Sequence, residues 1–311
     1  MVPLALSTHW NAFRHTSAET LVEEIRTLGF EAVELGYDLT ADLAVEVPRL
    51  VERGAVRVVS VHNFCPVPTG APRGHPELFH LADPADTARD HAVQHTLNTI
   101  RFAAEVKARA VVVHCGNVPL RPRTTELIAM AEAGRRHTER YEKLRLKMLV
   151  RREKKAGRYL DALHRSIEAL LPELEAARVR LCLENLPSWE SIPTEQEMER
   201  LLDRFHSPWV RAWHDIGHGR IRENLGFTSH LHWFRRLGAR LAGMHLHDVA
   251  PPAHDHLMPP AGEIDYPLFQ SGLGADTLRV LEPAPGMPAG ELVAGGRRIA
   301  AALPVAGEDR S

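Results

Sequence analysis

The sequence predicts an α/β fold, a single (β/α)8 TIM barrel spanning residues 1–311, and three observations predict it. Strand-like and helix-like segments alternate eight times along the chain. Six apolar runs stop on an acidic or histidine residue: VRVVSVH at His62, AVVVH at His114, VRLCLE at Glu184, VRAWHD at Asp215, LAGMH at His245 and TLRVLE at Glu282. No low-complexity linker or short-period repeat divides the chain. A buried strand is a short β-branched run, and nothing inside it demands a charged group at its end. In a parallel barrel the strand ends converge at the C-terminal mouth, so the six endings point to one shared site. An open doubly wound sheet is the runner-up. It would gather its site at one switch point, and the even spread of the six residues favours closure.

Each element has its own signal. LALS (4–7) reads as the first strand. Thr16 with Glu19 makes a capping box for a helix that runs to Leu28 and stops at Gly29. AVEL (32–35) is the second strand, and a helix over 41–53 ends at Gly54. VRVVSV (56–61) is the third strand; a Pro- and Gly-rich loop to Pro84 and a helix from Asp86 to Lys107 follow. AVVV (110–113) is the fourth strand, and a long helical region with breaks ends near Pro172. RVRLCL (178–183) is the fifth, with a helix from Thr194 to Phe205 opened by Pro193. VRAW (210–213) is the sixth, with a helix around 229–237. RLAGMHL (240–246) is the seventh, followed by a Pro-rich loop and a short helix near 265–271. TLRVL (277–281) is the eighth, and a helix near 289–303 closes the chain.

One segment breaks this rhythm and forms a basic helical insertion after the fourth strand. Residues 135–158 carry eleven Lys/Arg against three Glu, about +8, while the remainder is about −10. Tyr141, Leu144 and Met148 recur at helical spacing within it. Such a stretch reads as a long solvated helix with an apolar underside. The sharper alternative is a basic lip over the barrel mouth that attracts an anionic ligand.

Composition excludes several classes. With 44% hydrophobic and 25% charged residues the chain has an ordinary core fraction, and a net charge of −2 supplies no global field toward nucleic acid or a membrane. Cys65, Cys115 and Cys182 are scattered with no C-x-x-C, against both a disulfide framework and a thiolate zinc site. The opening MVPLALSTHW lacks the basic and apolar regions of a signal peptide, and no run approaches the ~18 residues of a membrane span. The expectation is a reduced, soluble, cytoplasmic protein.

The chemistry lies in the strand ends. Glu184, Asp215 and Glu282 could not crowd one pocket uncompensated, because their repulsion would force protonation. A divalent cation removes that cost, and three carboxylates with the imidazole of His245 suit Mn, Mg, Co or Zn. Any one of them alone reads equally as a solitary polar strand cap. WHDIGHG adds His218 three residues after Asp215, HLHD adds His247, and HDH adds His254 and His256. Each alone is more often a hydrogen-bonded structural histidine; beside a metal site each becomes a candidate ligand. Trp189 and Trp213 read as pocket wall or core.

The segments SVHNF, VVHCGN, LENLP, WHDIGHG, GMHLHD, DHLMPPAGEID and VLEP, in this order over essentially the whole chain, resemble the xylose isomerase-like barrel superfamily. The likeness is to its branch of endonuclease IV and the sugar isomerases and epimerases. It implies a cluster of up to three divalent metals, zinc foremost, or manganese or magnesium in an isomerase. Glu184, Asp215, His245 and Glu282 match the central site, His62 and His114 with bridging Glu184 match a second, and His218 and His256 match a third. In that third site His254 stands where the nuclease has an aspartate, which weakens it. Glu34 sits where the family often has a carboxylate bonded to a ligand or substrate.

Three functions follow from the resemblance. The first is hydrolysis of a small phosphodiester, with Glu184 bridging metals and Glu282 orienting the attacking water. DNA is disfavoured because the loop after His62 carries no aromatic and basic wedge for base flipping. One branch of the superfamily cuts cobamides at the nucleotide loop, and NFCP after His62 resembles it. The second is a sugar or sugar-phosphate isomerase or epimerase, with Glu184 and Glu282 exchanging a proton at carbon. Against it, the epimerase branch has an arginine where this chain has Pro251. The third is a metal-stabilised binding protein without turnover, which both glutamates argue against. The expected partner is a small anionic or sugar-like substrate, with no membrane and nucleic acid disfavoured.

Overall fold

The computed structural model describes residues 4–121 and 123–304. Eight parallel strands close into a barrel. In chain order they are β1 (Leu4–Ser7), β2 (Ala32–Leu35), β3 (Arg57–His62), β4 (Ala110–Val113), β5 (Arg180–Glu184), β6 (Val210–Asp215) and β7 (Leu241–Leu246), then, after an antiparallel hairpin of β8 (Asp248–Ala250) and β9 (His254–Leu257), β10 (Leu278–Leu281). β10 lies between β7 and β1, which completes the ring. Among the described residues no helix is long and apolar enough to cross a membrane.

The barrel interior is filled by small and branched side chains from alternate positions, Ala5, Ala32, Val59, Val112, Ala242 and Val280 among them, with Trp213 as the one large filler. Trp213 needs Gly243 beside it, since a Cβ there would lie 2.2 Å from its ring. This interior layer positions the site. Two residues along each strand from buried Cys182, Trp213 and Val280 come Glu184, Asp215 and Glu282. The period of two therefore sends all three carboxylates to the mouth just above the packed layer.

The surrounding helices differ from expectation in a few places. Helix α1 (Ala18–Thr27) is capped by Ser17, not Thr16; its Oγ accepts from Glu19 N, and Glu46 from the neighbouring segment takes Ala18 N at 2.7 Å. The helix expected over 41–53 is two, α2 (Ala41–Ala44) and α3 (Val47–Glu52), with Pro48 in the first turn of the second. Next come α4 (Asp86–Glu105) and α5 (Thr124–Glu132). Helix α6 (Glu139–Ala177) carries Pro172 inside it and runs five residues further, because Ile167, Leu170 and Leu174 are fully buried and hold both sides of the proline. Arg178, in the left-handed region at φ 55°, ends it.

Helix α7 (Glu195–Phe205) is followed by α8 (Ile216–Asn224), which the sequence does not announce, then α9 (His230–Leu237) and α10 (Ala289–Ala302). A 3-10 turn, Tyr266–Gly272, replaces the helix after β7.

The basic insertion is anchored. Tyr141 and Met148 of α6 join Leu127 and Met130 of α5, Ile221 and Leu225 in a satellite core. Arg152 is buried; it meets Glu197 at 2.9 Å and donates to the carbonyls of Trp189 and Ser191 at 2.7 Å each.

Candidate metal centre

The mouth brings together three groups of potential ligands, each with atoms within 4.8 Å of one another: Glu184, Asp215, His245 and Glu282; His62, His114 and Glu184; and His218, His247 and His256. Glu184 belongs to two of them. Its Oε1 lies 3.1 Å from His245 Nδ1. Its Oε2 faces His62 Nε2 at 3.3 Å and His114 Nε2 at 3.1 Å, and is buried without a hydrogen bond. Glu282 Oε2 is 3.3 Å from the same His245 Nδ1, so two carboxylates border one spot.

Fixed hydrogen bonds choose which imidazole nitrogen faces the centre, because a carbonyl oxygen only accepts. His62 Nδ1 donates to Asn63 O (3.1 Å), His218 Nδ1 to Asn185 O (3.0 Å) and His256 Nδ1 to Glu282 O (2.9 Å), leaving three Nε2 atoms for the site. His245 is held the other way round. Its Nε2 meets Glu34 Oε1 at 2.9 Å, and Ser60 Oγ donates to the second oxygen of Glu34 at 2.6 Å. Asn185 clamps Asp215 through two backbone bonds of 2.9 Å. Orienting partners of this kind behind ligand residues hold ring and carboxylate in place.

The electrostatics fit a cation. Burial pushes Glu184 up, but His245 and His114 override it and hold the carboxyl well below its ordinary range. Burial likewise works against charging His245, yet Glu282, Glu34 and Glu184 together raise it well above the usual imidazole value. Without a metal the positive charge demanded by three buried carboxylates falls to the chain's own imidazoles. An orphaned carboxylate oxygen between two Nε2 atoms and a set of three carboxylates with one imidazole are the features a divalent metal satisfies. The cluster can therefore bind a metal.

The structure places the sequence candidates unevenly. His62, His114, Glu184, Asp215, His218, His245, His256 and Glu282 converge. His254 does not; it is exposed at the start of β9, where the hairpin register pairs it with Ala250. His247 stands in the third group instead. Its Nδ1 accepts the amide of His256 at 2.9 Å and its Nε2 meets both Asp215 oxygens at 3.0 Å, so both nitrogens are engaged and the ring chiefly orients Asp215. Cys65, Cys115 and Cys182 are free and buried, and burial pushes their thiols up. Trp213 is interior core, and Trp189 stacks on Phe227 at 4.5 Å.

Tyr37 is a site residue that sequence patterning does not mark. It lines the cavity above the cluster, edge-on to His62 at 5.2 Å, and its hydroxyl meets His9 Nε2 at 3.1 Å, with Asp38 2.9 Å from His9 Nδ1. The signal available is its place three residues beyond Glu34, near the end of β2. That cavity, of ≈ 940 Å³, runs from His114 and His218 outward under α6.

The chain belongs to the xylose isomerase-like TIM barrel family, whose model matches residues 22–282. Solved structures with the same fold include 3-keto-D-glucoside 4-epimerase from E. coli, at 14% identity and a TM-score of 0.67, covering 97% of this chain and 100% of that one. A D-tagatose 3-epimerase-like protein matches at 18% identity and 0.65, covering 96% and 98%. L-ribulose 3-epimerase matches at 17% and 0.65, covering 97% and 95%. No curated protein matches the sequence significantly.

Proposed function

We propose that the protein is a metal-dependent enzyme that isomerises or epimerises a small sugar-like substrate at the Glu184/Asp215/His245/Glu282 group. The observation that carries this reading is the approach of both Glu184 and Glu282 to one point, 3.1 and 3.3 Å from His245 Nδ1, beneath an open cavity. A bound divalent cation would supply Lewis-acid polarisation of a substrate oxygen or a water. One carboxylate takes the proton from the carbon beside a substrate carbonyl, and the other returns a proton, to the opposite face or to the neighbouring carbon. General acid–base work of this kind contributes roughly 10²–10⁴-fold. Glu34, Ser60 and Asn185 keep His245 and Asp215 oriented, and Tyr37 offers a hydroxyl to the substrate. Likeness in fold to three proteins named as epimerases or epimerase-like supports the same reading.

A second reading, hydrolysis of a small phosphodiester, is favoured by one specific observation. Glu184 Oε2 between His62 and His114, with the unengaged Nε2 atoms of His218 and His256, makes further ligand groups that a proton exchange between two glutamates does not use.

Metal content per chain, measured by mass spectrometry on protein purified without chelator or histidine tag, separates the two. One equivalent, exchangeable with manganese or magnesium, supports the isomerase; two or more, mainly zinc, support the hydrolase. No bound metal sinks both. Glu282→Gln abolishes turnover in either case with the fold intact, and a fully active variant rules out the site.

A further inference from the structure

The cavity above the cluster has two chemically different ends. Its inner end is lined by Tyr37, His114 and His218, and its outer end by Arg121, Arg123, Arg151 and Lys155. All four cations are exposed, and among the described residues none forms an ion pair with a carboxylate. They are gathered by design of the helix insertion. Arg151 donates to the carbonyl of Arg121, and Lys155 to that of Pro119 at 3.1 Å, so α6 is tied across the segment that follows β4. Buried Arg152, locked on Glu197, fixes the rotation of α6, and residues 151 and 155 then share one helix face.

The carboxylates on the same wall do not neutralise the four. Both oxygens of Glu190 are taken by Thr124, through its amide at 2.8 Å and its hydroxyl at 2.5 Å, and Glu77 accepts from Asn117 at 3.1 Å. Four cations against these two anions leave the outer end positive. At ≈ 940 Å³ the space also lies near the top of the roughly 300–1,000 Å³ that small-molecule sites occupy, more than a free monosaccharide fills.

We infer that the substrate carries a phosphoryl group, held by Arg121, Arg123, Arg151 and Lys155, while its sugar-like part reaches Glu184 and Glu282. This rests on the proposed function for the inner end and adds the substrate class at the outer one. Guanidinium forks suit the paired oxygens of a phosphoryl group, and several cations suit its charge.

Inorganic phosphate is the probe, titrated calorimetrically into the protein as purified and again after chelation. Phosphate binds in both states, and added salt weakens it. Arg121→Gln/Arg151→Gln weakens binding about tenfold or more with metal content and thermal unfolding unchanged. Arg123→Gln/Lys155→Gln does the same, and serves if the first pair fails to fold. Binding that survives both pairs, or that disappears on chelation alone, overturns the inference, because the phosphate then sits on the metal. Phosphate binding in protein that never holds metal leaves the phosphoryl site standing and removes the proposed function at the inner end instead.

Discussion

His214, on the outer side of the barrel wall, and His245, at the mouth, are both fully buried in opposite electrostatic surroundings. His214 and Asp215 are consecutive on β6, and the strand's alternation sends them to opposite sides. Asp215 enters the mouth. His214 points outward among Trp233, Phe234 and Phe269, with its Nε2 2.9 Å from that of His230. With no carboxylate against either ring, burial pushes His214 down to about 3, and burial with neighbouring His214 and Arg220 pushes His230 well below its usual value; Glu223 reaches only the His230 amide, at 3.0 Å. At the mouth, burial is just as complete, but Glu34, Glu184 and Glu282 reverse the outcome and raise His245. Burial alone thus selects the neutral form, and carboxylates within contact distance override it. The outer pair is packing; the inner residues form a charged cluster with the donor set of a divalent cation.

The same rule acts outside the ligand cluster, and the largest stability effect tests it there. Burial pushes Glu197 up, yet Arg152 holds its carboxyl below the ordinary value of 4.5. A lowered folded value means that Glu197 contributes stability above about pH 4.5, lost as the pH falls through the lowered value. Arg152→Met leaves that carboxylate buried without its partner and should cost about 3–5 kcal/mol at pH 7. In the variant burial is opposed only by Thr194, whose amide still donates to the carboxylate at 2.7 Å, so the carboxyl rises and acidification relieves the cost. Urea unfolding at pH 7 and pH 4 should therefore show the gap to wild type narrowing on acidification. A gap that is the same at both pH values would show that the pair is not the source.

His214→Phe breaks the outer pair with a smaller effect. His230 Nε2 loses its partner in an apolar surrounding, a cost of about 1–3 kcal/mol. The double variant His214→Phe/His230→Leu removes both polar rings and should cost less than the two single changes added, as expected for residues in contact. Metal content should stay at the wild-type level throughout. Loss of metal in His214→Phe would show that the two sets are not independent, since only Asp215 of this strand end should matter to the centre.

The contrast between the two sets also explains what could be read from the sequence. The carboxylates of β5, β6 and β10 were legible because a period of two carries each directly from a packed interior residue to the mouth. Helix α8 was not. Its IGHGRIREN has two glycines near its start, poor helix formers. Close packing demands both, one on each side of the strand: a Cβ at Gly217 would lie 2.0 Å from the His247 ring beside the site and one at Gly219 2.4 Å from His230 of the outer pair. Asp215 holds the first turn by accepting His218 N at 2.7 Å. A tertiary requirement had erased the local signal. Pro172 misled in the opposite direction, since burial of its helix outweighs one missing N–H. Tyr37, His9 and Asp38 come from segments after β1 and β2 with no shared spacing, so only the closed barrel joins them.

The smallest expected effect decides between two neighbouring histidines. The spacing before His256 points to His254, but hairpin pairing turns it to solvent, whereas His247 lies fully buried against Asp215. A surface histidine with no buried partner changes stability by about 0.5 kcal/mol or less when truncated. His254→Ala should therefore match wild type in thermal midpoint and in metal content. His247→Ala should lower metal occupancy while His62, His114 and His245 remain in place, because Asp215 loses the ring that spans both its oxygens. Second-sphere losses of this kind typically weaken metal binding 10–100-fold. If His254→Ala were the variant that lost metal, the hairpin would have to fold inward in the loaded protein, and the third group would be built on His254 rather than His247.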